Sequence, residues 1–146
     1  MVIKIINCKS EEYISELQLR NEILRKPLGL SIYFDNLSKE DKDYHVGAFL
    51  NEELVGCLVL TPLTDKEIKM RQVAVKESLQ GLGIGKKLVA YSELISKENN
   101  YNKIMLNARK AVVEFYKKLG YEIIGKEFIE DSTGLLHLKM FKDITG

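Results

Sequence analysis

Cysteine is scarce in this 146-residue chain: Cys8 and Cys57 are the only two. They lie far apart and form no metal-ligand spacing, so a reduced, cytoplasmic protein is expected. Excess charge of either sign is also missing. Lys and Arg number 22, Asp and Glu 21, and the net charge is +1. That balance gives no electrostatic case for nucleic acid or an anionic membrane as a partner. Long hydrophobic runs are absent. The longest, residues 54–60, has a strand's length and is far too short to span a bilayer. Lys4 interrupts the apolar start, so no signal peptide is expected. Repeats, low-complexity tracts and linkers are lacking as well. The length suits one domain over residues 1–146 with a sizeable core.

What the chain does contain is a glycine-rich stretch, Gln80-Gly81-Leu82-Gly83-Ile84-Gly85. An apolar strand over 68–75 precedes it, and an amphipathic helix opening Lys86-Lys87-Leu88-Val89 follows. Glycines at alternate positions leave backbone N–H groups uncovered. A helix N-terminus directly behind them adds unpaired N–H groups and about half a positive charge. Together they predict a cradle for phosphate or pyrophosphate. A Walker A loop needs four residues between its Gly and its Gly-Lys, then a hydroxyl residue. Here Gly81 and Gly85 enclose three residues, and Lys87 stands where the hydroxyl belongs. A dinucleotide fingerprint needs G-x-G-x-x-G after the first strand of a βαβ unit, and this loop lies past mid-chain. The pattern Q/R-x-x-G-x-G fits, as Gln80, Gly83 and Gly85.

Periodicity and turn residues predict strands over 2–6, 44–50, 54–63, 68–75, 103–108, 121–128 and 136–141. Helices are predicted over 11 to about 25, about 83–98 and 111–119, the last closed by Gly120. On the first, Ile14, Leu17, Ile23 and Leu24 mark an approximate apolar face. Residues 28–43 read as a long loop with a helical turn near Ser38-Lys39-Glu40, and Asn51-Glu52-Glu53 reads as a hairpin. The order implies an α/β fold built on a mixed sheet with helices on both faces.

That order, the loop and the two motifs Met70-Arg71-Gln72-Val73-Ala74-Val75 and Glu114-Phe115-Tyr116-Lys117-Lys118-Leu119-Gly120-Tyr121 resemble the GNAT superfamily of N-acetyltransferases. Leu106-Asn107-Ala108-Arg109 resembles that family's fifth strand, and the whole is similar to small stand-alone bacterial members. The resemblance implies a central, mostly antiparallel sheet split between strands four and five. It implies acetyl-CoA as co-substrate, no metal, and a primary amine of a small molecule or protein as acceptor. Pantetheine would pair with backbone around Val73 and Val75 and with Asn107, and pyrophosphate would sit on Gln80, Gly81, Leu82, Gly83, Ile84, Gly85 and Lys86. Tyr116 would be the proton donor to the leaving thiolate. His137 and His45 are further catalytic candidates, since each can titrate near neutral pH. Arg20 and Arg25, with the loop over 30–43, would border the acceptor and could hold an anionic group on it.

One departure stands out. Many relatives place a glutamate on the fourth strand, where this chain has Arg71 and Gln72. The alternative reading is therefore a non-catalytic CoA or acyl-CoA sensor on the same fold. A nucleotide binder is disfavoured by the missing hydroxyl after Lys86. An exposed sheet edge could pair in a homodimer.

Overall fold

A computed structural model describes residues 1–145. Its elements in chain order are β1 (Val2–Ile6), α1 (Glu11–Arg20), β2 (Tyr44–Leu50), β3 (Glu53–Pro62), β4 (Glu67–Val75), α2 (Ile84–Glu98), β5 (Lys103–Arg109), α3 (Val113–Lys118), β6 (Glu122–Ile123), β7 (Phe128–Ile129) and β8 (Leu136–Asp143). The strands form one eight-stranded sheet in the order β1-β2-β3-β4-β5-β8-β6, with β7 on β8. β4 and β5 are parallel. The pairs β1–β2, β2–β3, β5–β8, β6–β8 and β7–β8 are antiparallel. This is the mixed, mostly antiparallel sheet expected from the sequence. The β4–β5 ladder comprises Glu67↔Lys103, Ile68↔Ile104 and Lys69↔Met105 and stops there, as the expected split requires.

The chain forms two compact units, one of residues 1–61 and 70–94, the other of residues 62–69 and from Ile95 on. In the first, β2 and β3 are buried through their centres, and Val46, Ala48, Cys57, Leu58 and Leu60 form the core with Met70 and Leu88. Asn51 and Glu52 both take positive φ (48° and 67°), the turn that joins two antiparallel strands without splaying them. α2 lies close on β3: a Cβ on Gly56 would meet Leu88 at 2.9 Å and Ile84 at 3.0 Å. The buried side of α2 is Ile84, Leu88, Val89, Ser92 and Ser96, a four-residue repeat along one helix face.

α1 departs from the expected apolar face. Ile14 is 56% exposed, whereas Glu16 and Arg20 are both 0% exposed. The helix continues as a wider π turn over Asn21–Arg25. The loop that follows carries 3-10 turns at Lys26–Leu28, Ile32–Phe34 and Glu40–Lys42. Ile32 is its buried anchor, and the Ile32 N–H donates to Asn21 Oδ1 at 2.8 Å.

In the second unit, Ile104, Leu106 and Ala108 alternate inward along β5, and Val113, Tyr116, Tyr121, Met140 and Ile144 complete the core. The single strand expected over 121–128 is instead two short strands, β6 and β7. Gly125 breaks it with φ 80°. Among the described residues no helix is long and apolar enough to cross a membrane.

Candidate active site

β4 delivers the chain into the glycine loop of the first unit. The Lys76 N–H donates to the Val55 carbonyl at 2.8 Å, and the Gln80 side-chain amide donates to the Val75 carbonyl at 3.0 Å. Gln80 therefore closes the turn between strand and loop. Gly81 (φ 82°) and Gly83 (φ 89°) sit in the left-handed region, and a Cβ at either would meet nothing within 4 Å. They are required by backbone conformation, and the space above them is open. The Lys87 N–H makes the first bond of α2, to the Gly83 carbonyl at 3.1 Å. The amides ahead of it have no carbonyl one helical turn back, the donor end that attracts an anion. Gln80, Gly81, Leu82, Gly83 and Lys86 are exposed, Gly85 is half-buried, and Ile84 is buried and anchors the helix.

Val73 and Val75 are half-buried on β4. Just before Val73, Gln72 adopts φ 56° in mid-strand. Arg71 beside it donates from Nη2 to Glu40 at 2.7 Å and Asp43 at 3.3 Å, and from Nε to Thr61 Oγ1 at 3.0 Å.

Those bonds lead into a buried charge cluster. Arg20 forks onto Glu40, Nη1 to Oε1 at 2.7 Å and Nη2 to Oε2 at 2.8 Å. Arg20 Nη1 also donates to Glu16 Oε2 at 2.8 Å, and Nε to Gln72 Oε1 at 3.2 Å. The Tyr13 hydroxyl donates to Glu40 at 2.7 Å. Burial alone would raise the Glu40 carboxyl. Hydrogen bonds from Arg20 and Tyr13 and the charges of Arg20 and Arg71 outweigh it and hold the carboxyl at about 2. His45 Nε2 lies 2.7 Å from the Glu40 carbonyl, which can only accept, so Nε2 carries a proton. His45 Nδ1 lies 2.8 Å from Glu16 Oε2. Burial opposes charge on His45, but the Glu16 carboxylate prevails and raises its pKa.

Glu16, Glu40 and His45 bring three potential metal ligands together, yet the two carboxylates already accept from Arg20 and Tyr13, and the His45 ring nitrogens already face the Glu16 carboxylate and the Glu40 carbonyl. Arg20 and His45, expected near the reactants, are 0% and 1% exposed and bonded within the protein. Arg25 is buried apart from this cluster and pairs with Asp35, Nη2 to Oδ2 at 2.9 Å, fixing the loop after α1.

The second unit holds the other candidates. The Tyr116 ring is 7% exposed and packs edge-on against Phe115 and Tyr121, centroids 5.0 and 5.8 Å away. Burial pushes its phenol up to about 12. Its hydroxyl has no hydrogen-bond partner among the described residues, and Ser96 Oγ is the one buried side-chain polar atom left unpaired among them. Asn107 lies half-buried on β5, its amide likewise unpaired among the described residues. His137 lies buried on β8. Its Nδ1 donates to the Leu135 carbonyl at 2.9 Å, and its Nε2 faces Glu130 at 3.6 Å.

The buried cluster went unread in the sequence, although Tyr13, Glu16, Leu17 and Arg20 carry helical spacing.

Comparison with known proteins shows what this chain is similar to. Uncharacterized N-acetyltransferase YjcF of Bacillus subtilis (strain 168) is 27% identical over 143 residues, covering 97% of this chain and all of that protein. The structure of an aminoglycoside 6'-N-acetyltransferase complexed with coenzyme A matches with TM-score 0.79 at 20% identity, covering 100% of this chain and 98% of that one. A GNAT family acetyltransferase from Elizabethkingia anophelis with acetyl-CoA bound matches with TM-score 0.75 at 19% identity, covering 97% of each chain. The profile of the acetyltransferase (GNAT) family itself spans residues 10–121, from the start of α1 through the glycine loop to the end of the Tyr116 motif. With most of its length matched and the sheet order and loop in place, the chain belongs to the acetyltransferase (GNAT) family.

Proposed function

We propose that this protein transfers an acetyl group from acetyl-CoA to a primary amine by direct attack in a ternary complex. The observation that carries the reading is the uncovered loop at Gly81 and Gly83, backed by the N-terminus of α2. Its open amides suit the pyrophosphate of CoA. The structural relatives with coenzyme A or acetyl-CoA bound support the same ligand. Val73 and Val75 would pair with pantetheine as an added strand, and the unpaired amide of Asn107 would bond it.

The amine nitrogen attacks the thioester carbonyl carbon, a tetrahedral oxyanion forms, and the C–S bond breaks. The departing sulfur takes a proton, for which Tyr116 is the donor. A phenol held at about 12 stays protonated at neutral pH. A free thiol has pKa near ~8.5, so complete transfer ahead of cleavage is uphill. Transfer is therefore concerted with C–S cleavage. Arg71, on the strand where many relatives carry a glutamate, is itself engaged by Glu40 and Asp43. The amine arrives neutral, the proton it sheds on becoming an amide passes to water, and water returns a proton to the Tyr116 phenolate.

That same engagement of Arg71 favours a second reading, a CoA-binding sensor without turnover. Tyr116→Phe separates the two. It keeps the ring packing, so CoA affinity stays within about twofold, while acetyl transfer falls by on the order of a hundredfold. Wild-type protein that binds acetyl-CoA but acetylates no amine in a broad panel supports the sensor.

A further inference from the structure

We propose that Arg20 is a positioning residue for β4: its buried guanidinium holds Gln72 in the left-handed conformation and so sets how Val73 and Val75 present their backbone groups to the acyl-CoA co-substrate. This rests on the acyltransferase reading above.

Gln72, at φ 56°, is the only left-handed residue within a strand among the described residues; the others lie in turns and loops. A glutamine gains nothing locally from that conformation, since it is neither glycine nor a short polar residue that bonds its own backbone. The reason lies in the partners of residues 71 and 72. Consecutive side chains of a regular strand point to opposite faces. Here Arg71 reaches Glu40 at 2.7 Å and Gln72 reaches Arg20 at 3.2 Å, while Arg20 and Glu40 are forked together. Two successive residues thus enter one buried cluster, and the left-handed turn of the backbone at Gln72 reconciles them.

Arg20 is suited to hold that turn. Its Nη1 and Nη2 are fixed by Glu16 and Glu40, which leaves Nε with a set direction and Gln72 Oε1 as its acceptor. Glu16 is in turn held by His45, and Glu40 by Tyr13. The guanidinium acts as a fixed peg from α1 onto β4. Beyond Gln72, the strand resumes with Val73 and Val75 half-buried and Ala74 buried.

Gln72→Ala and Gln72→Gly both delete the acceptor, but only glycine adopts φ near 56° freely. Amide resonances of Val73 and Val75, recorded without ligand, report the strand's backbone. KM for acetyl-CoA reports its use. Gln72→Ala is expected to shift both resonances and raise KM about tenfold, with a smaller effect on kcat, whereas Gln72→Gly keeps resonances and KM near wild type, within about threefold. Arg20→Lys, which keeps the charge but loses the Nε donor and the two-bond fork on Glu40, supplies a second arm, read only after its fold is confirmed by its amide spectrum. It should raise KM in the otherwise wild-type chain and leave it unchanged in the Gln72→Gly background. Equal behaviour of Gln72→Ala and Gln72→Gly, or an Arg20→Lys effect that persists undiminished in the Gln72→Gly background, overturns the proposal. Failure of the wild-type protein to bind acetyl-CoA would instead remove the acyltransferase reading, and the ligand-free resonances would still decide whether Arg20 holds the strand.

Discussion

Arg20 and Glu40 meet in a two-bond fork of 2.7 and 2.8 Å inside the core, joining the end of α1 to the end of the loop that follows it. Removing one partner of a buried pair strands the other charge, which typically costs about 3–5 kcal/mol. Glu40→Ala should therefore lower the thermal midpoint by about 10 °C or more. A change of only a degree or two would mean that the fork contributes little to folding.

The same carboxyl predicts an acid limb. Its folded value is about 2, against 4.5 for an unperturbed glutamate. The unfolded state thus binds the proton more readily. The stabilisation is complete above about 4.5 and is lost as pH falls toward 2. Its size is on the order of 3 kcal/mol. Urea midpoints measured from about pH 6 to about pH 3 should fall more steeply for wild type than for Glu40→Gln. Parallel slopes would contradict the assignment.

His45 predicts the opposite limb. Its folded pKa is raised above 6.5, so its contribution is present below that value and declines as pH rises through the folded one. His45→Gln should remove this alkaline decline. Ring nitrogen shifts in the wild type should show both nitrogens protonated at neutral pH. A neutral ring there would assign the proton between His45 and Glu16 to the carboxyl instead.

The glycine loop makes a local prediction. Gly83 has φ 89° and open space above it, so Gly83→Ala meets no steric neighbour and costs about 1 kcal/mol of backbone strain. The new methyl group would cover the amides of the cradle. CoA affinity should fall about tenfold or more by calorimetry, with the fold intact. Gly85 lies inside α2, and Gly85→Ala should leave stability unchanged or slightly improved. Unchanged CoA affinity in Gly83→Ala would make the loop a turn and nothing more.

Legibility in the sequence followed the range of the interactions. Gly81 and Gly83 could be read because a strand, a glycine run and a helix start are neighbours in the chain. The hairpin at Asn51 and Glu52 was equally local. The strand expected over 121–128 failed on Gly125, whose positive φ a hydrophobic pattern does not reveal. The burial of Arg20 and His45 is not legible in the sequence, since charged and titratable residues usually sit at surfaces or sites. Glu16 lies one helical turn from Arg20, but Glu40 and Gln72 are 20 and 52 residues from Arg20, and Glu16 is 29 from His45, beyond any periodicity argument. The misassigned face of α1 has the same origin. Glu16 and Arg20 displaced Ile14 from the inward side because their ion partners were waiting there.

The central claim is that the loop behind β4 holds an acyl-CoA. It is tested most directly by thermal unfolding of the wild-type protein with acetyl-CoA, free CoA and ATP in parallel. A ligand at about 100 times its dissociation constant adds roughly 2.7 kcal/mol. For a chain of this size that is a rise of roughly 5–10 °C. The account predicts such a rise with both CoA species and none with ATP. No shift with CoA at millimolar concentration would contradict it and remove the role assigned to Tyr116 along with it.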